Sequence, residues 1–298
     1  MRSAWPNLSD LIVPKDADAP LGIVGAPLAV GSVTPGRCDL APATLRTTMR
    51  RIGLYDVETG REIESMIADH GDVPIDGLTI EEATGPITMA AAESVRRHML
   101  TLLVGGNNAV TRPGVHAVAQ ALDLPLDRIG LITLDAHFDM RDLMRGLGNG
   151  NPVRALREDG LPGSNVAQIG LASFANSADM HRDATAGGHL VVTMEQVRRE
   201  GIANAIHAAL AHVDHCDAIV VDCDIDVIDR SQFPGAPGAR PGGMAAHDFF
   251  AGVRVLAESP KVRLIDLTEW DPPLDSTDLS ALTAARWLAE CLAGYELR

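Results

Sequence analysis

Aromatic side chains are scarce in this chain. Three Trp, two Tyr and five Phe give an aromatic share of only 3% in 298 residues. The interior must therefore be filled by Ala, Val, Leu and Ile. The apolar fraction of 46% is ordinary for a folded domain and excludes disorder as the default. Basic residues are also short, with 25 Lys+Arg against 40 Asp+Glu and a formal net charge of -15. A surface of that sign argues against nucleic acid as a partner. Cys38, Cys216, Cys223 and Cys291 are too scattered for a zinc-type spacing or a disulfide framework, as in a reducing cytoplasm. No apolar run is long enough to cross a bilayer, and the opening MRSAWPNLSDLIVPKDADAP lacks the apolar core of a secretion signal. The expectation is a cytoplasmic protein with neither a membrane nor a nucleic acid as partner.

What the chain does have is alternation. Short apolar runs at 21–26, 102–104, 129–134, 166–171, 191–192, 218–221 and 262–267 read as strands, with a further short one at 54–57. Between them lie helical stretches: one after Pro42, then 90–100, 115–122, one opened by Pro152, 194–212, 245–258 and 280–292. This order predicts a three-layer α/β/α domain with a mostly parallel sheet covered on both faces. It is expected to span residues 1–298, with 1–20 as an N-terminal arm. The segment from 58 to 87 has no clear period, and Asp69, His70, Gly71 and Asp72 read there as a polar turn.

Two acidic clusters stand out. The stretch 131–142, LITLDAHFDMRD, is an apolar strand running into Asp135, His137 and Asp139; alternate side chains of an extended chain point to one side. The stretch 218–229, AIVVDCDIDVID, repeats the logic with Asp224 and Asp226. Asp after a strand is often only a cap. Two such clusters at strand ends instead outline a cation site, because gathering carboxylates without a cation costs repulsion and desolvation. Asn107 and Asn108 mark another strand-to-helix junction, as caps or as ligand-presenting residues.

In order, GGNNAVTRPG, LDAHFDMRD, VDCDIDVIDRSQFPGAPGARPGG and DLTEWDPP resemble the signature segments of the ureohydrolases, the arginase, agmatinase and formimidoylglutamase superfamily. The likeness runs from about residue 25 to 273, and in motif style it is nearest to formimidoylglutamase. It implies an arginase-like fold, two Mn²⁺ ions and hydrolysis of a guanidino or formimidoyl carbon. It also implies a trimer or hexamer. Carried over, Asp135 and Asp224 resemble the carboxylates that bridge the ions. Asp139 resembles a further ligand of one ion, and His137 and Asp226 resemble ligands of the other. Glu269 resembles the glutamate that receives the amidinium end of the substrate, with paired N–H donors on one carboxylate. Asp266 is a candidate supporting partner, and Asp222 and Asp229 are expected to be structural or to support the ligands from behind.

The chain departs from the pattern twice. Where arginase-like members carry a metal-binding His after Gly-Gly, this sequence has Asn108, whose neutral amide oxygen is a weaker donor to Mn²⁺. Where they carry a His thought to aid proton transfer, GLGNGNPVRAL places Asn149, which cannot shuttle a proton. The resemblance then leaves leaving-group protonation to Asp139 or to water, with His116 and His181 as remote substitutes.

DAHFDMR and FANS are similar to formimidoylglutamase members. Arg141, assisted by Arg145 or Arg182, is the expected clamp for a substrate carboxylate. The expected reaction is hydrolysis of N-formimidoyl-L-glutamate to glutamate and formamide. The alternatives are urea release from arginine, agmatine or another guanidino compound, and a non-catalytic binding descendant that reflects the two Asn positions.

Overall fold

The computed structural model describes residues 5–298. In chain order the elements are β1 (Ile12–Pro14), β2 (Leu21–Ala26), α1 (Ala41–Thr48), β3 (Tyr55–Asp56), β4 (Arg61–Glu62), β5 (Ile67–Asp72), α2 (Ile80–Arg97), β6 (Leu100–Gly105), α3 (Thr111–Leu122) and β7 (Ile129–Leu134). Then follow α4 (Pro152–Asp159), β8 (Val166–Leu171), α5 (Ala178–Ala186), β9 (Leu190–Thr193), α6 (Met194–Glu200), α7 (Ile202–His212), β10 (Ala218–Asp224), α8 (Ala246–Glu258), β11 (Val262–Thr268) and α9 (Leu279–Tyr295).

Among the described residues, nine strands form one sheet in the order β1-β5-β2-β6-β11-β10-β7-β8-β9. Every pairing in it is parallel. The short β3–β4 hairpin is separate and antiparallel. Parallel strands need crossovers, and the helices supply them on both faces, so central strands are apolar on both sides. On β7, Leu131 packs with Ile87, Val118 and Leu156 of α2, α3 and α4. Its neighbour Ile132 packs on the opposite face, in the core that holds Leu45, Phe249 and Trp287 of α1, α8 and α9. Truncating such a residue to Ala costs about 2–5 kcal/mol. No helix of the described residues is long and apolar enough to cross a membrane.

The expected α/β/α layering is present, with several local corrections. Residues 1–4 of the arm lie outside the described residues. The rest of it holds a 3-10 turn at Leu8–Leu11 and then β1, an edge strand paired with β5, rather than a free cap. The polar turn at 69–72 belongs to β5, whose acids are tied down by Arg46 of α1, at 2.8 Å to Asp69 and 2.5 Å to Asp72. Helix α2 starts ten residues before the expected 90 because Thr79 and Glu82 cap it reciprocally, and Pro86 sits inside it. The expected helix 194–212 is broken at Gly201, whose φ of 86° ends α6 before α7 begins. Helix α5 is not among the helical stretches read from the sequence.

Candidate metal centre

Four neighbouring strands end together. Leu134 of β7 lies beside Cys223 of β10, Asp224 lies beside Thr268 of β11, and Leu267 lies beside Val104 of β6. At their carboxyl ends the chain presents Asp135, Asp224, Glu269 and the Asn107-Asn108 junction. The carboxyl edge of a parallel sheet is the usual place for a ligand.

Asp135, His137 and Asp226 offer ligand atoms that lie within 4.8 Å of one another, and so do Asp135, Asp139 and Asp224. The two groups share Asp135; Asp224 falls in the second only. His137 Nδ1 is 3.0 Å from Asp226 Oδ2 and 3.5 Å from Asp135 Oδ1. Asp139 is buried and holds a left-handed backbone, φ 51°; Glu269, φ 59°, does the same. Backbone of this kind is costly for non-glycine residues and gathers at functional sites.

Burial and mutual repulsion dominate the electrostatics of these carboxylates. Burial, with Asp226 nearby, pushes Asp135 up to about 7 against the pull of His137. Asp139 and Asp224 are also raised well above the carboxylate range, first by burial and then by neighbouring carboxylates. His137 loses basicity to burial but gains more from Asp226 and Asp135, and ends at about 12. Asp135 Oδ2 is buried with no hydrogen-bond partner. An orphaned buried oxygen within a set of carboxylates and one imidazole fits a hard divalent cation such as Mn²⁺.

Asn107, not Asn108, is the cap: its side chain accepts from the Ala109 N–H. The Asn108 Oδ1 accepts from the hydroxyls of Thr111 and Thr268, and its Nδ2 donates to Asp139 Oδ2 at 2.6 Å. Glu269 Oε1 accepts from the Asn108 N–H at 2.7 Å and from Asn149 Nδ2 at 2.9 Å. Burial nonetheless lifts the Glu269 carboxyl to about 7. Behind this layer, Asp222 and Asp266 form a fully buried pair on adjacent strands. Burial raises Asp266 to about 7 and Asp222 well above its ordinary range. Asp266 also accepts from Thr111 and from the Cys223 N–H. Asp229 takes the Ser231 and Gly242 N–H groups and shapes the following loop.

The site opens into a cavity of about 290 Å³ lined by His137, Asp139, Asp224, Asp226 and Glu269, with Arg141, Asn149, Asn176 and Arg240 among the wall residues. A sequence model of the arginase family matches residues 19–294. The chain belongs to the arginase family. It is 31% identical to the formimidoylglutamase of Bacillus subtilis, over 98% of this chain and 92% of that protein. The crystal structure of that formimidoylglutamase superposes with a TM-score of 0.91, covering 100% of this chain and 96% of the other at 28% identity. A guanidinobutyrase of Pseudomonas aeruginosa is 28% identical over 94% of this chain and 88% of its own length. The fold also matches that of Trypanosoma cruzi formiminoglutamase, solved with Mn²⁺₂, at a TM-score of 0.89 and 23% identity, covering 99% of each chain.

Within this arginase-family site the expected residues fall into two sets. Asn108, Asp135, His137, Asp139, Asp224, Asp226, Glu269, Asn149 and Arg141 converge. Arg145 is exposed and does not line the cavity, and Arg182 is exposed on α5 and paired with Asp179. His116 pairs with Asp159 at 2.8 Å, and His181 stacks on Phe138; neither lines the cavity. Three contributors have no reading of their own in the sequence. Asn176 Oδ1 accepts the Phe138 N–H and its Nδ2 donates to the Ala136 carbonyl, fixing the loop between His137 and Asp139. Gly238 lets the loop pass over Asp226, and Arg240 joins the wall. The FANS segment and the Gly-Pro-rich loop were visible as motifs, but nothing in them singles out these side chains.

Proposed function

We propose that this arginase-family protein hydrolyses N-formimidoyl-L-glutamate to L-glutamate and formamide. Asp135, His137, Asp139, Asp224 and Asp226 would hold two Mn²⁺, with Asp135 common to the two ligand groups. The observation that carries the reading is one cavity whose wall holds members of both ligand groups, His137, Asp139, Asp224 and Asp226, together with a buried carboxylate, Glu269, and Arg141, which has no carboxylate partner among the described residues. The 31% identity to a formimidoylglutamase over nearly the whole chain supports the same substrate. When bound, the two cations lower the pKa of a water and stabilise charge developing at the formimidoyl group.

The chain's own residues do the rest. Glu269 receives the amidine nitrogen that stays in formamide; both of its donors end on Oε1, so Oε2 has no donor among the described residues. Water oxygen adds to the formimidoyl carbon, the bond from that carbon to the glutamate nitrogen breaks, and the nitrogen leaves as an amine once protonated. Asn149 is spent on Glu269 and on the Val33 N–H, so Asp139 or water supplies that proton. Arg141 meets a substrate carboxylate at the rim.

The test is to load the protein with Mn²⁺, count ions by elemental analysis, and assay formimidoylglutamate, arginine, agmatine and guanidinobutyrate. Two ions and formamide from the first, lost in a folded Asp224→Ala variant, support the reading. Urea from guanidinobutyrate would support a guanidino-acid hydrolase instead, a second reading favoured by the guanidinobutyrase likeness. Stoichiometric binding with no product would mean a binding protein.

A further inference from the structure

Two arginines, not one, line the cavity. Arg141 follows the β7 ligands and Arg240 comes from the Gly-Pro-rich loop after β10. Elsewhere in this acidic chain arginines are mostly neutralised: Arg112 by Asp159, Arg128 by Asp217, Arg254 by Glu290. Neither Arg141 nor Arg240 has a carboxylate partner among the described residues.

Both are positioned rather than loose. Gly150 makes room for Arg141: a Cβ there would lie 2.8 Å from its Cδ, and the Arg141 N–H donates to the Gly150 carbonyl at 3.1 Å. Arg240 donates from Nη1 to the carbonyls of Pro237, Gly238 and Ala239 at 3.2, 2.8 and 3.1 Å. Those bonds occupy Nη1, and among the described residues Nε and Nη2 have no protein partner. Arg230, with three carbonyl contacts of its own, already staples the loop, so Arg240 is not needed for that.

We propose that Arg240 is a specificity-determining residue: it receives one carboxylate of a dicarboxylate substrate while Arg141 receives the other. The inference rests on the proposed hydrolysis of formimidoylglutamate, whose two carboxylates need two cationic partners. Without them such a substrate would enter a wall that already holds Asp139, Asp224, Asp226 and Glu269. A forked guanidinium suits each carboxylate. A one-carboxylate guanidino acid would leave one arginine unused.

The test compares wild type, Arg240→Gln, Arg240→Lys and Arg141→Gln, all Mn²⁺-loaded and of matched melting temperature. The substrates are N-formimidoyl-L-glutamate, N-formimidoyl-4-aminobutyrate, which lacks the α-carboxylate, and N-formimidoyl-L-norvaline, which lacks the side-chain carboxylate. Arg240→Gln should lose about 10- to 100-fold in kcat/KM on the full substrate and on one analogue, and nothing further on the other. Arg141→Gln should show the opposite analogue pattern, and Arg240→Lys should recover part of the loss. Equal losses on all three, or none, overturn the inference while the proposed reaction stands. Calorimetric binding of glutarate against butyrate gives a readout independent of turnover. If the wild type turns over none of the three, the proposed reaction fails. A glutarate preference that disappears in Arg240→Gln would then still support the two-arginine reading, and its persistence or absence from the start would overturn it.

Discussion

Asn108 donates from Nδ2 to Asp139 Oδ2 at 2.6 Å, while its Oδ1 takes the hydroxyls of Thr111 and Thr268 at 2.7 and 3.0 Å. The amide thus presents a donor, not a ligand oxygen, to the carboxylates. Its donated bond offsets part of the repulsion that Asp135 and Asp226 exert on Asp139. Replacing Asn108 by Asp removes that donor and adds a negative charge beside Asp139. The metal-free variant should lose about 1–3 kcal/mol of stability. Mn²⁺ should raise its melting temperature by more than it raises that of the wild type. Calorimetric scans with and without Mn²⁺ decide; an unchanged metal-free melting temperature would mean that the bond carries no weight.

Asn149 is tied to the same machinery from the other side. Its Nδ2 is one of two donors on Glu269 Oε1, and that bond holds down a carboxyl that burial has lifted to about 7. Losing one such bond is worth roughly half to one pKa unit. Glu269 must be ionised to receive an amidinium, so Asn149→Ala should move the acidic limb of kcat/KM upward by that amount. A pH–rate profile that keeps its limb and only falls in height would assign Asn149 to substrate contact alone.

Much of this was legible in the sequence because the strands that carry the site are apolar on both sides. Ile129–Leu134 and Val166–Leu171 stand as expected, since a continuous apolar run bounded by loop residues has little other use. The site residues follow from the same cause: acids at the ends of such strands have to meet. What was not legible depended on partners distant in sequence. Strand β5 reads as a turn because its Asp69 and Asp72 are satisfied by Arg46 on α1, and His70 by His98, 2.9 Å away. Arg240 reads as loop filler because only the folded loop brings it to the cavity. Arg145 and Arg182 share the charge and neighbourhood of Arg141, and spacing alone does not tell a helix or loop rim from a cavity wall.

Gly238 marks where the Gly-Pro-rich loop crosses the metal centre. A Cβ there would sit 1.9 Å from Asp226 Oδ2, so an alanine must displace either the loop or the carboxylate. Gly238→Ala should therefore abolish most Mn²⁺-dependent stabilisation and turnover while the metal-free protein keeps its circular dichroism and melts within a few degrees of wild type. Normal metal binding in the variant would show that the loop, not the Asp226 carboxylate, gives way.

The ligand loop is also held from beneath. Gln168 donates to the Phe138 carbonyl at 3.0 Å and accepts from His189 Nδ1 at 2.9 Å, and Arg157 sits on His189 Nε2. Burial, reinforced by Arg157, drops His189 from 6.5 to about 4, so the folded protein keeps this ring neutral where the unfolded chain takes up a proton. With more protons on the unfolded state, stability falls as pH drops below about 6.5 and levels off below about 4. At pH 5 the loss from this one residue is about 2 kcal/mol relative to neutral pH. His189→Gln lacks the titration, so the stability gap between wild type and variant should narrow by that amount between pH 7.5 and pH 5 in urea unfolding. A gap that stays constant would mean that the ring is protonated alike in both states.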